Sequence, residues 1–394
     1  MDLERSFKIL LLSRVFRSIG IISVTLSIPL YLAAIKISVI NIGLIFAGIM
    51  LFMIFQTLLF GIIGDRYGYK KEMLFAEFIT ATAVLILALT SNIYLIILAM
   101  LIGGIGGGGA GGMRGAFSPG SSAYIANNFP EQKERIRKYG LLNTVGSITA
   151  VLGGLLMAMH GYINNYFSSV AAYRIIFLIA GIFLIFSLLC ILALEEVKRP
   201  KKTTRFMKKA SLSYTTKIIL ANSLGGIGMG VAIPLLPLWF SIAYHATAFQ
   251  IGIIFSLSYI ATAAAAYLSS LISHKYNILN IVSLARIISG FMLFFMALSP
   301  FLSIVALFYI LRSISGGFGS PARSTINIKG IDIEDFGTAS SVQGIATRVS
   351  QLSSGLSGYL MDYSIPLPLE VGGIFQIFSG VVYKYILRND KINE

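Results

Sequence analysis

Five arginines and one glutamate stand in stretches otherwise too apolar to hold them: Arg14 and Arg17, Glu77, Arg286, Arg312 and Arg348. A charge at the centre of a bilayer costs about 2.5–3.5 kcal/mol on insertion scales, so each of these needs a partner or a task. Guanidinium groups hold oxyanions through paired N–H donors, and a carboxylate such as Glu77 takes up and releases a proton. Gln56, Asn143 and Asn222, with Gln343 and Gln351 further on, could hydrogen-bond a solute; for any one of them the plainer reading is a bond between helices. A catalytic set is what the chain lacks: it shows no paired acids at depth, no histidine cluster and no serine beside a base. His160, His245 and His274 have no metal-ligand spacing and Cys190 is alone, so no metal, disulfide or cofactor is expected, and no enzyme.

Membrane helices must carry these residues. Of 394 residues 56% are hydrophobic and only 12% charged, with mean hydropathy +0.83. Apolar runs long enough to cross a hydrocarbon core of about 30 Å recur along the whole chain. Open sheets would leave backbone groups unsatisfied in lipid, so an all-α membrane protein is expected. The runs divide into twelve spans near 9–33, 41–63, 73–91, 93–116, 139–160, 173–194, 216–240, 250–272, 278–298, 301–320, 338–361 and 369–388. The first run is too long for a signal peptide and no small-residue cleavage site follows it. An even count places both termini on one side. Loops on the side of residues 61–74 carry Arg66, Lys70, Lys71, Lys133, Arg135, Arg137, Lys138, Lys275, Arg323 and Lys329, and the opposite loops little but Lys36. Termini and turn are therefore expected in the cytoplasm, in a multi-pass protein of the cell membrane.

The net charge of +15 would suggest nucleic acid in a soluble chain. Here it sits in short loops, where it sets orientation and meets anionic lipid headgroups. Lys198, Arg199, Lys201, Lys202, Arg205, Lys208 and Lys209 make 195–215 a basic linker on headgroups, separating bundles at 1–194 and 216–394. The two halves repeat each other. Asn41-Ile-Gly43-Leu-Ile-Phe46 returns as Gln250-Ile-Gly252-Ile-Ile-Phe255, an offset of 209, and Pro29-Leu-Tyr-Leu32 returns as Pro237-Leu-Trp-Phe240. Gly104, Gly106 and Gly109 match a dinucleotide fingerprint, but no strand precedes them and the run lies within a span. A helix bare of side chains there can press on a neighbour, bend or slide.

Between the second and third spans stands Gly61-Ile-Ile-Gly64-Asp65-Arg66-Tyr67-Gly68-Tyr69-Lys70-Lys71-Glu72-Met73-Leu74. This turn resembles the signature loop of the major facilitator superfamily, on which Gly61, Gly64, Asp65, Arg66, Gly68 and Lys70 fall. Offset by 209, it has a faded copy in which His274 replaces Asp65. The exit from the fourth span through Ser118-Pro119 is similar to the family's as well. The resemblance covers nearly the whole chain and implies two pseudo-symmetric six-helix bundles around a central cavity. On that template Arg17, Arg312 and Arg348 are cavity candidates, while Arg14, Arg286 and Glu77 stand near the cytoplasmic gate, which Asp65 would hold. The fifth-span pattern of the drug/proton antiporters survives only as Gly153-Gly154, and no acid lies in the first or fourth span. Both departures weaken assignment to that branch, so the resemblance is to a drug-exporter-like member with a degenerate antiporter motif.

The resemblance implies a secondary transporter of a small organic solute, working by rocker-switch alternating access as a monomer. Proton-coupled export is one form. A facilitated or anion-selective uptake carrier is another, and a sensor that kept the fold a third.

Overall fold

The computed structural model describes residues 2–106, 117–129, 131–197, 207–272, 276–332 and 335–388, apart from the side chains of 65, 118, 119, 132, 133, 136, 272, 336 and 337. The glycine run beyond Gly106, linker residues 198–206 and His274 of the faded repeat lie outside the described residues.

All regular structure among the described residues is helical. In chain order the helices are α1 (Leu3–Ala34), α2 (Val39–Tyr67), α3 (Tyr69–Leu89), α4 (Ile93–Gly103), α5 (Phe117–Asn128), α6 (Gln132–Ala158), α7 (His160–Ile163) and α8 (Ser169–Leu192). They continue as α9 (Lys209–Ala232), α10 (Leu236–Tyr244), α11 (Ala248–Ile272), α12 (Ile278–Leu298), α13 (Leu302–Lys329), α14 (Phe336–Gln351), α15 (Ser354–Tyr363) and α16 (Leu367–Leu387). Short polar residues begin several of them. Asn92 accepts from the amides of Tyr94 and Leu95 at α4, Ser168 from Ala171 at α8, and Asn277 from Leu279 and Asn280 at α12. Each satisfies backbone donors that the first turn leaves free.

By length and composition eight helices among the described residues suffice to cross a membrane: α1, α2, α3, α6, α8, α11, α12 and α13. A ninth appears if α9 and α10, bent by 44° at their junction, count as one span. The other three expected spans coincide with α4, with α14 plus α15, and with α16. Local chemistry explains the breaks. Pro234 and Pro237 stand at the α9–α10 junction, and Gly104, at φ 59°, turns the chain out of α4. The usual inside-out pattern is inverted on α2, where Leu51, Phe55, Leu58 and Ile62 follow helical spacing on one exposed face. In water that stripe would be a liability; against acyl chains it is the outer surface.

The chain forms two compact units. The first comprises Met1–Ile37, Gly48–Thr204 and Thr247–Ser256; the second comprises Ser38–Ala47, Arg205–Ala246 and Leu257–Glu394. In the first, α1 packs on α6 and α8, and α3 on α4 and α8. In the second, α9 packs on α14 and α16, and α12 on α13 and α16. One packing scheme thus serves both units, as the sequence repeat requires. Glycines admit the closest crossings: a methyl added at Gly290 would lie 2.7 Å from the Gly373 carbonyl oxygen.

Candidate substrate and coupling site

The turn at 61–74 is tied down from a distance in sequence. Gly68 takes φ 101° between α2 and α3, a conformation L side chains avoid. A methyl there would also meet Glu196 Oε2 at 2.8 Å. The Glu196 carboxylate accepts from the Tyr69 amide at 2.8 Å and the Lys70 amide at 2.9 Å, capping α3 in place of a local side chain. Residues 195–197 form a strap across this end of the unit. The Tyr124 hydroxyl donates to the Glu195 carbonyl at 2.5 Å, Asn127 to the Val197 carbonyl at 2.8 Å, and Asn128 Oδ1 accepts from the Val197 amide at 3.0 Å. Gly64 leaves room for Glu72 and Tyr69, whose side chains would stand 2.7 and 2.8 Å from any added methyl. Glu72 is buried, with Gly120 on α5 also against it. Gly61 borders open space, Arg66 is exposed and Lys70 half-buried. The Asp65 side chain lies outside the described residues. Glu196→Ala removes a helix cap and is expected to cost about 1–2 kcal/mol, read as a lowered thermal midpoint in detergent.

Within the first unit, Arg17 on α1 donates from Nη1 to Glu77 Oε2 on α3. Both are buried, with Glu77 fully enclosed, and the Arg17 guanidinium also lies 4.3 Å from the centre of the Phe117 ring. The second carboxylate oxygen, Glu77 Oε1, has no hydrogen-bond partner. One turn earlier on α1, Arg14 is 1% exposed and lies across Gly146 of α6, where any side chain would displace it. Its Nε and Nη1 are without partners. Gln56 donates to the Ile102 carbonyl on α4, and Asn143 is half-buried on α6.

In the second unit, Arg286 on α12 is satisfied by neutral groups alone. It donates to the Ala221 carbonyl at 3.2 Å, to Ser379 Oγ at 2.7 Å and to Asn222 Oδ1, and stacks 4.1 Å from the Tyr383 ring centre. Asn222 Nδ2 in turn donates to the Ile218 carbonyl at 2.8 Å. This cluster and the Arg17–Glu77 pair are repeat-related. The 209 offset of Gly43 and Gly252 carries Glu77 onto Arg286, and the 208 offset of Pro29 and Pro237 carries Arg14 onto Asn222 and Arg17 onto Gly225. A methyl at Gly225 would stand 3.2 Å from Arg286 Nη1. Each unit thus keeps a polar anchor between equivalent helices while the cation moves from one helix to the other. That offset was the available sequence signal for the anchor.

Arg312 and Arg348 belong to the same second unit. Arg312 on α13 donates from Nη2 to the Met229 sulfur at 3.1 Å, and Tyr309 offers its ring 5.7 Å away. Arg348 on α14 is half-buried. A separate cleft of about 150 Å³ is lined by Ser324, Asn327, Ile328, Ile331, Ser340 and Gln343 and contains none of the charged candidates. It is smaller than the roughly 300–1,000 Å³ of drug-sized sites. No group of three or more metal-ligating side chains occurs among the described residues.

The helical repeat and the apolar outer surface define a multi-pass membrane protein. The chain belongs to the Major Facilitator Superfamily, whose family profile matches residues 10–356. Solved structures of similar fold include a transporter of the POT family in complex with a thioalcohol-conjugated peptide (TM-score 0.76, 13% identity, covering 99% of this chain and 97% of that one). A D-xylose–proton symporter (0.75, 13%, 97% of each chain) and a nucleoside transporter (0.71, 15%, 99% and 100%) are similar too. Comparison with curated protein sequences finds no match. At such identities the likeness establishes the fold alone.

Proposed function

We propose that the protein is a proton-coupled secondary transporter of a small organic solute, driven by alternating access of two bundles, 1–194 and 216–394, joined by the basic linker 195–215. It works as a monomer in the cell membrane with both termini in the cytoplasm. Asp65 of the signature turn belongs to the cytoplasmic gate.

The observation that carries the coupling is the enclosed Arg17–Glu77 pair with its bare second oxygen. A deprotonated Glu77 holds α3 to α1 through Arg17; a proton arriving at Oε1 would cancel the attraction and free the two helices. Arg14, whose Nε and Nη1 have no hydrogen-bond partner, stands one turn away on α1. Glu72, on the same helix, is the other buried acid of α3. The similar D-xylose–proton symporter supports proton coupling as chemistry this fold accommodates.

The experiment begins with a thermal-stabilisation screen of sugars, nucleosides, peptides and organic anions, followed by uptake of each hit into proteoliposomes with and without an imposed pH gradient. Wild type is expected to accumulate solute in response to the gradient. Glu77→Gln is expected to lose accumulation while keeping solute exchange at equal concentrations, because the amide stays neutral at every pH. Gradient-driven accumulation by Glu77→Gln would rule this coupling site out, and gradient-insensitive uptake by wild type would mark a facilitated carrier.

A further inference from the structure

Resting on the transporter reading, we propose that Arg312 is the solute-binding cation of the second unit and that the solute carries an oxyanion, a carboxylate or a phosphoryl group. Charge balance is the starting observation. Residues 209–329, which include α9 to α13, contain no Asp or Glu, and neither does α14. Among the described residues of these helices Arg286, Arg312 and Arg348 therefore have no carboxylate beside them in sequence. Arg286 is fully served by a carbonyl, a hydroxyl, an amide oxygen and an aromatic face. Arg312 is not. Its acceptor is a thioether, a weak one, and its buried Nε has no partner. Arg348 makes no hydrogen bond among the described residues.

The alternatives in the first unit are closed. Arg17 is committed to Glu77. Arg14 is unpartnered but enclosed, with α6 pressed against it at Gly146, so no solute could reach it. Arg312 as a residue is half-buried, although its Nε is enclosed. A planar guanidinium fits two oxygens of one carboxylate or phosphate through paired N–H donors. The stretch of α9 that supplies Met229 also meets the turn of α14 that bears Arg348: a methyl at Gly226 would lie 2.6 Å from Ser350 Cβ and 3.9 Å from the Thr347 carbonyl oxygen. A second unsatisfied cation is thus carried beside the same segment, suited to the remaining charge of a phosphate or to a second carboxylate.

The test is thermal unfolding of the purified full chain in detergent at matched ionic strength. Benzoate and glycerol 3-phosphate serve as probes, with benzamide and glycerol as neutral analogues. Wild type is expected to show a saturable rise in midpoint with at least one anion and none with its analogue. Arg312→Met should lose that rise while its midpoint without probe equals or exceeds that of wild type, since the guanidinium's contacts in the fold are a weak thioether acceptor and an aromatic ring. No rise in wild type with either anion overturns the proposal. So does an equal rise in Arg312→Met, or a fall of several degrees in its unliganded midpoint, which would make Arg312 structural. If Arg312→Met does not accumulate, Arg312→Lys decides: it should need a several-fold higher anion concentration for half the rise, and a wild-type response would overturn the assignment. Binding without transport would instead refute the transporter reading alone, and transport of a neutral solute with no anion response would refute only the oxyanion.

Discussion

Removing either member of the Arg17–Glu77 pair is expected to destabilise the protein far more than removing both. Arg17→Met leaves the Glu77 carboxylate fully enclosed with no counter-charge, and Glu77→Leu leaves Arg17 in the same position. Breaking a buried pair from one side costs about 3–5 kcal/mol, whereas replacing both partners by apolar residues of similar volume is often close to neutral. The Arg17→Met/Glu77→Leu double variant should therefore recover most of what each single variant loses. Thermal midpoints of the four proteins in one detergent form the cycle, and additive losses would show that the two side chains act independently. Arg286→Met is the contrast. Its partners are neutral, so no charge is stranded, and the loss should stay nearer about 1–3 kcal/mol, the cost of unsatisfied polar groups. The double variant would be folded yet unable to couple solute to protons, which separates the structural part of the pair from its proposed task.

A comparably large effect is expected from one methyl on α13, and almost none from the same methyl one residue earlier. At Gly317 an added Cβ would collide with the Thr262 carbonyl oxygen of α11, and it would lie 2.9 Å from the Thr262 Cα. Backbone cannot rotate aside as a side chain does. Gly317→Ala must push α13 off α11 and strain the hydrogen bond from Thr262 Oγ1 to the Ser313 carbonyl, 3.3 Å long, one turn away. Overpacking of this kind costs about 1–3 kcal/mol. Gly316 has nothing within 4 Å of an added methyl, so Gly316→Ala should be neutral or gain up to about 1 kcal/mol of helix propensity. Expression level and thermal midpoint of the two variants decide it; equal behaviour would mean that the α11–α13 crossing is not close-packed. The crossing lies about one turn from Arg312, so Gly317→Ala should also weaken the anion binding proposed for that residue.

Much of the architecture was legible in the chain because lipid imposes a simple rule: every backbone group must be satisfied within a helix about as long as the bilayer is thick. That made the all-helical class readable from hydropathy, and the turn at 61–74 identified the family. Span integrity was less legible. A window of apolar residues reads 216–240 as one stretch, but Pro234 and Pro237 bend it by 44° between α9 and α10. The 338–361 stretch divides at Leu352 and Ser353 into α14 and α15. Hydropathy weighs residues without regard to backbone dihedrals, so these breaks escape it.

The charged residues divide in the same way. Their number, sign and presence at membrane depth are properties of the sequence, as is the absence of any acid in residues 209–329. Their partners are not. Arg17 and Glu77 are 60 positions apart, and nothing local distinguishes Arg17, which is neutralised, from Arg312, which meets only a thioether and a ring. In a soluble protein the polar face of each helix would announce its rotation; in lipid both the outer and the packed faces are apolar, and that signal is lost. Sequence by itself determined that this is a membrane transporter of a known superfamily with surplus buried cations. Only the packing of α1 on α8 and of α9 on α14 and α16 decided which cation meets a carboxylate inside the protein and which does not, because helix rotation is fixed by close contacts between backbones and not by hydropathy.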